Sequence, residues 1–170
     1  MIYSRSTQYA IQTLAFLATR APGEYARARD IARWTDVPLP FLFKITRTLR
    51  NRGLVQAVRG LGGGIRLARA PREIKLADVV LAIEGPDRTG GCVLGLSRCD
   101  EDEPCAVHAA WEKLRADLQA LHQRTLADLA GPLARRQGYA AAPAKPARPR
   151  CVRQGAIPRR RPRHRAAARS

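Results

Sequence analysis

The sequence predicts a mainly α-helical fold with one small β-hairpin, and three observations support this prediction. Apolar residues recur at helical spacing in several stretches before residue 53, and two short β-like runs flank a glycine-rich turn after it. A further apolar seam at helical spacing follows a cysteine-containing loop. Helix, turn, helix and hairpin in this order are typical of a winged helix-turn-helix. The predicted fold is therefore a winged helix-turn-helix with a small β-hairpin wing and a long C-terminal dimerisation helix.

Two helices are predicted in the first 35 residues. The first spans residues 6–20, where apolar residues fall at helical spacing, and Ser6 or Thr7 is a suitable N-cap. Ala21-Pro22-Gly23 is expected to end this helix. A second, shorter helix is predicted over residues 28–34, with its isoleucine and its tryptophan facing inward.

The third helix is predicted to begin near Pro40, because proline suits the first turn of a helix, and to end at Gly53. A buried stripe is expected on one side of it: Phe41, Leu42, Ile45 and Leu49. Three cations lie mostly off that stripe and are candidate DNA contacts: Lys44, Arg47 and Arg50. Most such contacts go to phosphate. The alternative is that these cations form an ordinary solvated helix face.

A β-hairpin is predicted from two runs, residues 54–58 and 65–67, with the turn Arg59-Gly60-Leu61-Gly62-Gly63-Gly64 between them. So many glycines indicate a tight hairpin or a close approach of the backbone to a partner. Arg59 is a candidate for insertion into a narrow A·T-rich minor groove, and Gly60 beside it is a further candidate DNA contact. The alternative is a plain turn.

The chain divides into four predicted parts. Residues 1–85, which include a helix over residues 76–84, form the DNA-binding domain. Residues 86–104 form a cysteine-rich cluster loop, and residues 105–136 form the dimerisation helix. Residues 137–170, rich in alanine, proline and arginine, are expected to be a disordered basic tail because this composition cannot build a core.

The predicted dimerisation helix carries an apolar seam whose members recur at intervals of three and four residues: Val107, Trp111, Leu114, Leu118 and Leu121. This seam lasts only about two heptads. It indicates a helix that buries one face, and a second subunit of a homodimer is one surface that would cover it. Gly131-Pro132 is expected to stop the helix.

The chain carries a net charge of +17, and this charge is unevenly distributed. Residues 140–170 contain ten lysines and arginines and no acid, so the tail is strongly basic and the body moderately so. This composition favours a polyanionic partner, most simply double-stranded DNA. No apolar run approaches the ~18 residues of a membrane span, and no signal peptide is recognisable. A cytoplasmic protein without membrane association is therefore expected.

Three of the four cysteines lie within 14 residues and are followed at once by a histidine. The candidate metal ligands are Cys92, Cys99, Cys105 and His108. Disulfides are rare in the cytoplasm, whereas three thiolates and an imidazole suit Zn²⁺ or an iron–sulfur cluster. The alternative is a set of unliganded loop thiols.

The sequence leaves open which residue is the fourth ligand of this site. His108 lies one helical turn after Cys105, so both side chains can face the same point; the alternative is a surface or packed histidine. The fallback ligands are Gln8, Asp100 and Glu101. The four acids at residues 100–103 are expected to raise the pKa of nearby free thiols. Cys151 in the tail is interpreted as an incidental thiol.

Several further motifs occur in a fixed order along the chain: Tyr9-Ala10, Asp30-Ile31-Ala32, Leu49-Arg50-x-x-Gly53-Leu54-Val55, Val58-Arg59-Gly60-x-Gly62-Gly63-Gly64, Leu67-Ala68-Arg69, Leu76-Ala77-Asp78-Val79-Val80, Glu84-Gly85 and Thr125-Leu126-Ala127-Asp128-Leu129. The glycine-rich motif is the most specific of them. Together with the cysteine window, they make residues 1–136 similar to the Rrf2 family of bacterial winged-helix regulators. The basic tail lies outside the resemblance.

The resemblance implies a dimeric DNA-binding regulator, a repressor, that senses redox state, nitric oxide or iron–sulfur status through an iron–sulfur cluster of the 2Fe-2S or the 4Fe-4S type. In cluster-binding members, three cysteines of this loop hold the iron, and the fourth ligand is a nearby histidine or an acid near the first helix. The resemblance thus assigns the ligands Cys92, Cys99, Cys105 and His108, since the N-terminal region offers Gln8 in place of an acid.

Two features depart from the pattern of the family. Six residues separate Cys92 from Cys99, one more than is common among histidine-type members, and this leaves the cluster type open. The third helix begins Leu39-Pro40-Phe41-Leu42-Phe43. At this position the iron–sulfur cluster regulator, a member of the same family, has a polar stretch that reads bases. The operator of this chain need not resemble the operator of that regulator.

Two alternatives to a cluster-containing regulator are open. A cluster-free winged-helix regulator would respond to a small molecule or a partner protein. A small metalloenzyme would use the Cys/His site as a Lewis acid, but the sequence has three histidines and no carboxylate–histidine pair that stands out as a general base. We therefore expect no enzymatic activity.

Overall fold

The computed structural model describes residues 2–60, 62–86 and 91–136. The helices and strands of these residues are, in order, α1 (Arg5–Ala18), α2 (Ala28–Thr35), α3 (Leu39–Asn51), β1 (Val55–Val58), β2 (Gly64–Leu67), a 3-10 turn (Pro71–Glu73), α4 (Leu76–Glu84), α5 (His108–His122) and α6 (Leu126–Arg136). The predicted tail and Cys151 lie outside the described residues. Within those residues, no helix is long and apolar enough to cross a membrane.

The core is built around α1, against which α2, α3, α4 and α6 all pack. Ala10, Leu14 and Phe16 of α1 are fully buried or nearly so. The Phe16 ring lies against Trp34 of α2, with ring centroids 5.2 Å apart and a 57° angle between the ring planes. The inward position predicted for this tryptophan is confirmed, and the mainly helical winged fold is confirmed with it.

The start of α1 differs from the prediction, because Ser4 is the N-cap and not Ser6 or Thr7. The Ser4 hydroxyl accepts a hydrogen bond from the Thr7 amide at 3.2 Å. Both residues then contact Glu84 at the end of α4: the Ser4 amide and the Thr7 hydroxyl each donate to Glu84 Oε1 at 2.8 Å. These bonds, the backbone one foremost, lower the pKa of Glu84 against the opposing effect of burial.

Helix α3 buries Leu42, Ile45 and Leu49 as predicted. The prediction for Phe41 was wrong, since 52% of this residue is exposed. Its position on the helix lies beside the buried stripe, and the ring instead packs edge-on against Tyr9 of α1, with centroids 6.4 Å apart. Periodicity alone assigned Phe41 to the stripe because the residue is apolar.

Strands β1 and β2 form the predicted antiparallel hairpin, with Val55 opposite Leu67 and Val58 opposite Gly64. The hairpin is anchored to the helical body at Ala26, just before α2. Backbone hydrogen bonds join Ala26 to Ile65 in both directions, at 2.9 Å and 2.8 Å. The wing is thus held to the helical body through β2, at the residue that follows Gly64.

The segment predicted as one helix over residues 105–136 consists of two helices, α5 and α6. Between them the backbone pairs with the start of α4: the Leu76 amide donates to the Arg124 carbonyl at 2.8 Å, and the Leu126 amide donates to the Ile74 carbonyl at 2.9 Å. Leu126 is fully buried. This pairing breaks the helix and joins α6 to the DNA-binding core.

The prediction that Gly131-Pro132 stops the helix was wrong, because α6 continues through this pair to Arg136. Proline removes one backbone hydrogen bond inside a helix. Ala130 is buried and Leu133 packs against the core on the same side, and this burial stabilises the helix beyond the lost bond.

We expect Glu84→Ala to destabilise the protein by about 1 kcal/mol, the typical net contribution of such hydrogen bonds. A group whose folded-state pKa is lowered contributes stability above its ordinary pKa and loses it as the pH falls through the folded-state pKa. The difference in the free energy of unfolding between wild type and variant should therefore be smaller in acid. Urea unfolding at neutral and acidic pH measures this difference.

Glu24→Ala is the matched control, because among the described residues the Glu24 carboxylate accepts one long local bond, from the Ala21 amide at 3.3 Å. Equal destabilisation by the two substitutions would contradict the role given to Glu84.

Candidate metal centre and nucleic-acid interface

The structure places the three predicted cysteine ligands in the loop between α4 and α5 and the predicted histidine ligand, His108, at the first position of α5. The sulfur atoms of Cys92, Cys99 and Cys105 all lie within 4.8 Å of one another. Cys92 Sγ lies 3.9 Å from Cys105 Sγ, and Cys99 Sγ lies 3.2 Å from Nδ1 of His108. The three sulfur atoms therefore form one group, and the imidazole nitrogen of His108 lies beside one of them, Cys99 Sγ.

Local backbone structure explains this convergence. The Gly95 amide donates to the Cys92 carbonyl at 2.9 Å, and a turn with φ of +72° at Gly95 returns the chain after the first cysteine. The His108 amide donates to the Cys105 carbonyl at 3.0 Å, so these two ligands are one turn apart at the start of α5. That the Cys105 and His108 side chains face the same point stays a prediction.

Trp111 fixes the start of the loop and was missed as part of the site, since the sequence indicated only a core or interface residue. Its indole Nε1 donates to the Gly91 carbonyl at 2.8 Å, next to Cys92. The sequence feature that could have identified Trp111 is its position three residues after His108, because this spacing places both side chains on one side of α5. Trp111 thus connects the loop to the helix that carries the histidine.

The thiols differ in acidity. Backbone hydrogen bonding at Leu96, the largest contribution, lowers the pKa of Cys92. At Cys99 a backbone bond from Cys105 acts in the same direction, but burial and the neighbouring thiols outweigh it and raise the pKa to about 11. The four acids at residues 100–103, which were predicted to raise the pKa of nearby thiols, are not among the causes of these two shifts. The Asp100 carboxylate instead accepts bonds from two amides of its own loop, at 2.9 Å and 3.1 Å.

Three of the four predicted ligands, Cys92, Cys99 and His108, line an open cleft of about 430 Å³ together with Trp111, Asp100 and Glu101, whereas Cys105 is not among its lining residues. Sulfur and imidazole are donors that thiophilic metals prefer, and all four side chains of this set are partly buried. The residues present therefore fit a metal or an iron–sulfur cluster. Of the fallback ligands, Asp100 and Glu101 lie at the cleft, whereas Gln8 is not among the residues lining it and donates to the Tyr3 carbonyl at 3.2 Å.

The predicted DNA contacts on α3 share the side of the helix opposite to its buried stripe. Lys44, Arg47 and Arg50 are all exposed. None of them pairs with an acid among the described residues. Their positive charge is therefore uncompensated locally, which suits contact with phosphate.

The glycine run of the wing has two separate causes. Gly60 and Gly62 adopt φ of +98° and +85°, a backbone region that L residues rarely occupy. Gly63 and Gly64 are packed against the chain's own backbone: an added Cβ would lie 2.2 Å from the Val58 carbonyl oxygen at Gly63, and 2.5 Å from the Ala26 carbonyl oxygen at Gly64. The last two glycines are thus required by the hairpin itself.

Arg59 and Gly60 lie exposed at the start of this turn. Their side of the wing is open to a partner, because a Cβ at Gly60 would meet nothing within 4 Å. The assignment of both residues to DNA contact stays a prediction.

The winged fold, the thiol-lined cleft and the basic face of α3 together define a winged helix-turn-helix transcriptional regulator. Residues 3–132 match the Rrf2 family, described as an iron-dependent transcriptional regulator. The chain belongs to that family, as its motifs predicted, and the relatives named below are transcriptional regulators.

Two relatives and one solved structure illustrate the similarity. The chain is 34% identical to the HTH-type transcriptional regulator NsrR of Bacillus subtilis, over 72% of this chain and 86% of the relative. It is 33% identical to the HTH-type transcriptional regulator IscR of Cereibacter sphaeroides, over 76% of this chain and 86% of the relative. The structure of CymR, the global cysteine regulator of B. subtilis, superposes with a TM-score of 0.64 at 26% identity, over 78% of this chain and 98% of CymR.

We expect Gly63→Ala to destabilise the hairpin by about 1–3 kcal/mol, the usual cost of overpacking a site that cannot relax. The reason is that the added methyl group meets the Val58 backbone and not a flexible side chain. Gly91→Ala is the control, since a Cβ there meets nothing within 4 Å. Thermal unfolding of both variants measures the difference, and equal stability would show that the turn relaxes freely.

Proposed function

We propose that this chain is a homodimeric DNA-binding repressor that senses redox state, nitric oxide or iron–sulfur status through an iron–sulfur cluster. Cys92, Cys99, Cys105 and His108 would hold the cluster. The observation that carries this proposal is the group of three thiols within 4.8 Å of one another, with the His108 imidazole 3.2 Å from one of them. The description of the family as iron-dependent supports iron over zinc at this donor set.

When bound, an iron–sulfur cluster supplies a centre that can be oxidised, nitrosylated or lost. The contribution of the chain is to hold the four donors on one loop that joins two parts of the molecule. One end of the loop follows α4, whose Glu84 contacts the start of α1. The other end is His108, the first residue of α5. Rearrangement of the loop would therefore change the orientation of α5 relative to the DNA-binding core.

The exposed seam of α5 supports a dimer. No residue of α5 is buried within the described chain, and 53% of Leu114 and 41% of Leu121 are exposed. A helix with an uncovered apolar seam is stabilised by a second copy that covers the seam. Two such subunits would place their α3 helices on half-sites about one turn of DNA apart, roughly 34 Å. A change in α5 would alter that spacing.

Leu114→Glu should weaken the dimer by at least about tenfold, since an apolar contact at an interface centre is replaced by a charge that must be desolvated. Sedimentation equilibrium measures the dissociation constant. Ala116→Glu is the control, because Ala116 is exposed on the opposite side of α5. Unchanged dimerisation of the Leu114 variant would contradict the assignment of this seam.

Anaerobic reconstitution tests the cluster directly. Wild type should become brown and contain iron and sulfide, and Cys99→Ala should lose both while staying folded, since the loop lies outside the hydrophobic core. His108→Ala should weaken retention without abolishing it, because three thiolates remain. Cys151→Ala is the control and should retain the full iron content.

A colourless wild-type protein after reconstitution would contradict the cluster. It would favour the alternative, a cluster-free winged-helix regulator controlled by a small molecule or a partner protein.

A further inference from the structure

Helix α3 exposes an aromatic side chain in the middle of its basic face. Phe43 is 58% exposed, one of the largest exposed fractions among the apolar residues of the described chain. It lies one and two helical turns before Arg47 and Arg50 and directly next to Lys44, and all three cations are exposed. The ring therefore stands among the groups predicted to contact DNA.

Phe43 differs from the other exposed phenylalanine of this helix. Phe41 packs edge-on against Tyr9, and this contact within the chain gives its ring a structural role. Phe43 has no aromatic contact in the described part of the molecule and does not belong to the hydrophobic core or to the residues packed against it. Leaving such a ring in water forgoes the favourable burial of its apolar surface.

The occupant of this surface must combine negative charge with an apolar group. The three cations around the ring attract phosphate, and the second helix of a helix-turn-helix enters the major groove. There the C5-methyl group of thymine is the apolar feature that distinguishes one base pair from another. A phenyl ring has no donor or acceptor to read the edges of guanine or adenine, so a methyl group is its complementary contact.

We propose that Phe43 determines operator specificity by packing its ring against thymine methyl groups in the major groove. This inference rests on the DNA binding of the proposed function and adds the base and the group that are recognised. Lys44, Arg47 and Arg50 position the helix through phosphate, and Phe43 selects thymine at one or two positions of each half-site.

The test begins with duplexes that the full-length wild-type chain selects from a random pool. Each thymine of the selected half-site is then replaced by deoxyuridine, which removes only the C5-methyl group. At the contacted positions, wild type should lose about fourfold in affinity per methyl group, the fold-change that corresponds to one buried methyl. Phe43→Ala should bind thymine and uracil duplexes equally and should bind the thymine duplex more weakly than wild type does.

Phe41→Ala is the matched control, because it removes a half-exposed ring from the same helix but off this face. It should keep the wild-type preference for thymine over uracil. A second experiment adds a methyl group instead of removing one. It compares duplexes with cytosine and with 5-methylcytosine at the contacted position. The 5-methylcytosine duplex should bind wild type more tightly, whereas Phe43→Ala should bind the two duplexes equally. Circular dichroism checks that each variant is folded, as the exposure of Phe43 leads us to expect.

Two results would overturn the inference while leaving the proposed function intact. One is a selected operator at which wild type does not distinguish thymine from uracil at any position. The other is a thymine preference that Phe43→Ala retains in full. A wild-type chain that selects no sequence from the pool would contradict the proposed function itself and the inference with it.

Discussion

The burial of α1 is the constraint on which the rest of the structure depends. Ala10 and Leu14 are fully buried. The small side chain of Ala10 allows neighbouring helices to approach closely. Helices α2 and α3 pack on this helix and form the helix-turn-helix, while α4 and α6 pack on it from the C-terminal part of the chain. The basic face of α3 is oriented by that packing, because its buried stripe must face α1. The orientation of the basic face of α3 thus follows from the core.

The cleft depends on different physics. Most of the loop between α4 and α5 is exposed, so apolar burial contributes little to its conformation. Its shape comes from a few polar contacts, chiefly the Trp111 indole on the Gly91 carbonyl and the turn at Gly95. A loop held this way can rearrange at low cost while the core stays intact. That property suits a sensing element, and it explains why removal of one thiol is expected to spare the fold.

Sequence periodicity predicted the helices well because burial of one face imposes a repeat that can be read along the chain. The failures arose where distant residues decide. The N-cap is Ser4 because Glu84, 80 residues away, accepts its amide, and no local pattern reveals that contact. The break after α5 depends on pairing with Ile74 and Leu76. Metal-ligand spacing, by contrast, is local, so the grouping of the three candidate thiols could be predicted from the order of residues along the chain.

Helix α5 is connected to the DNA-binding core at few places, and their positions determine how the loop can act on it. At its C-terminal end, His122 Nε2 lies 3.1 Å from the Tyr3 hydroxyl, and the backbone pairing at Arg124 follows directly. Its N-terminal end is held mainly through the loop that carries the thiols. Under the proposed function, one end of α5 is therefore a pivot and the other is the controlled end. A rotation about the pivot would move the exposed seam, and with it the partner subunit, while α3 keeps its place on α1. The signal would thus change the distance between two unaltered DNA-reading surfaces, and base recognition by each half-site would be independent of the state of the sensor.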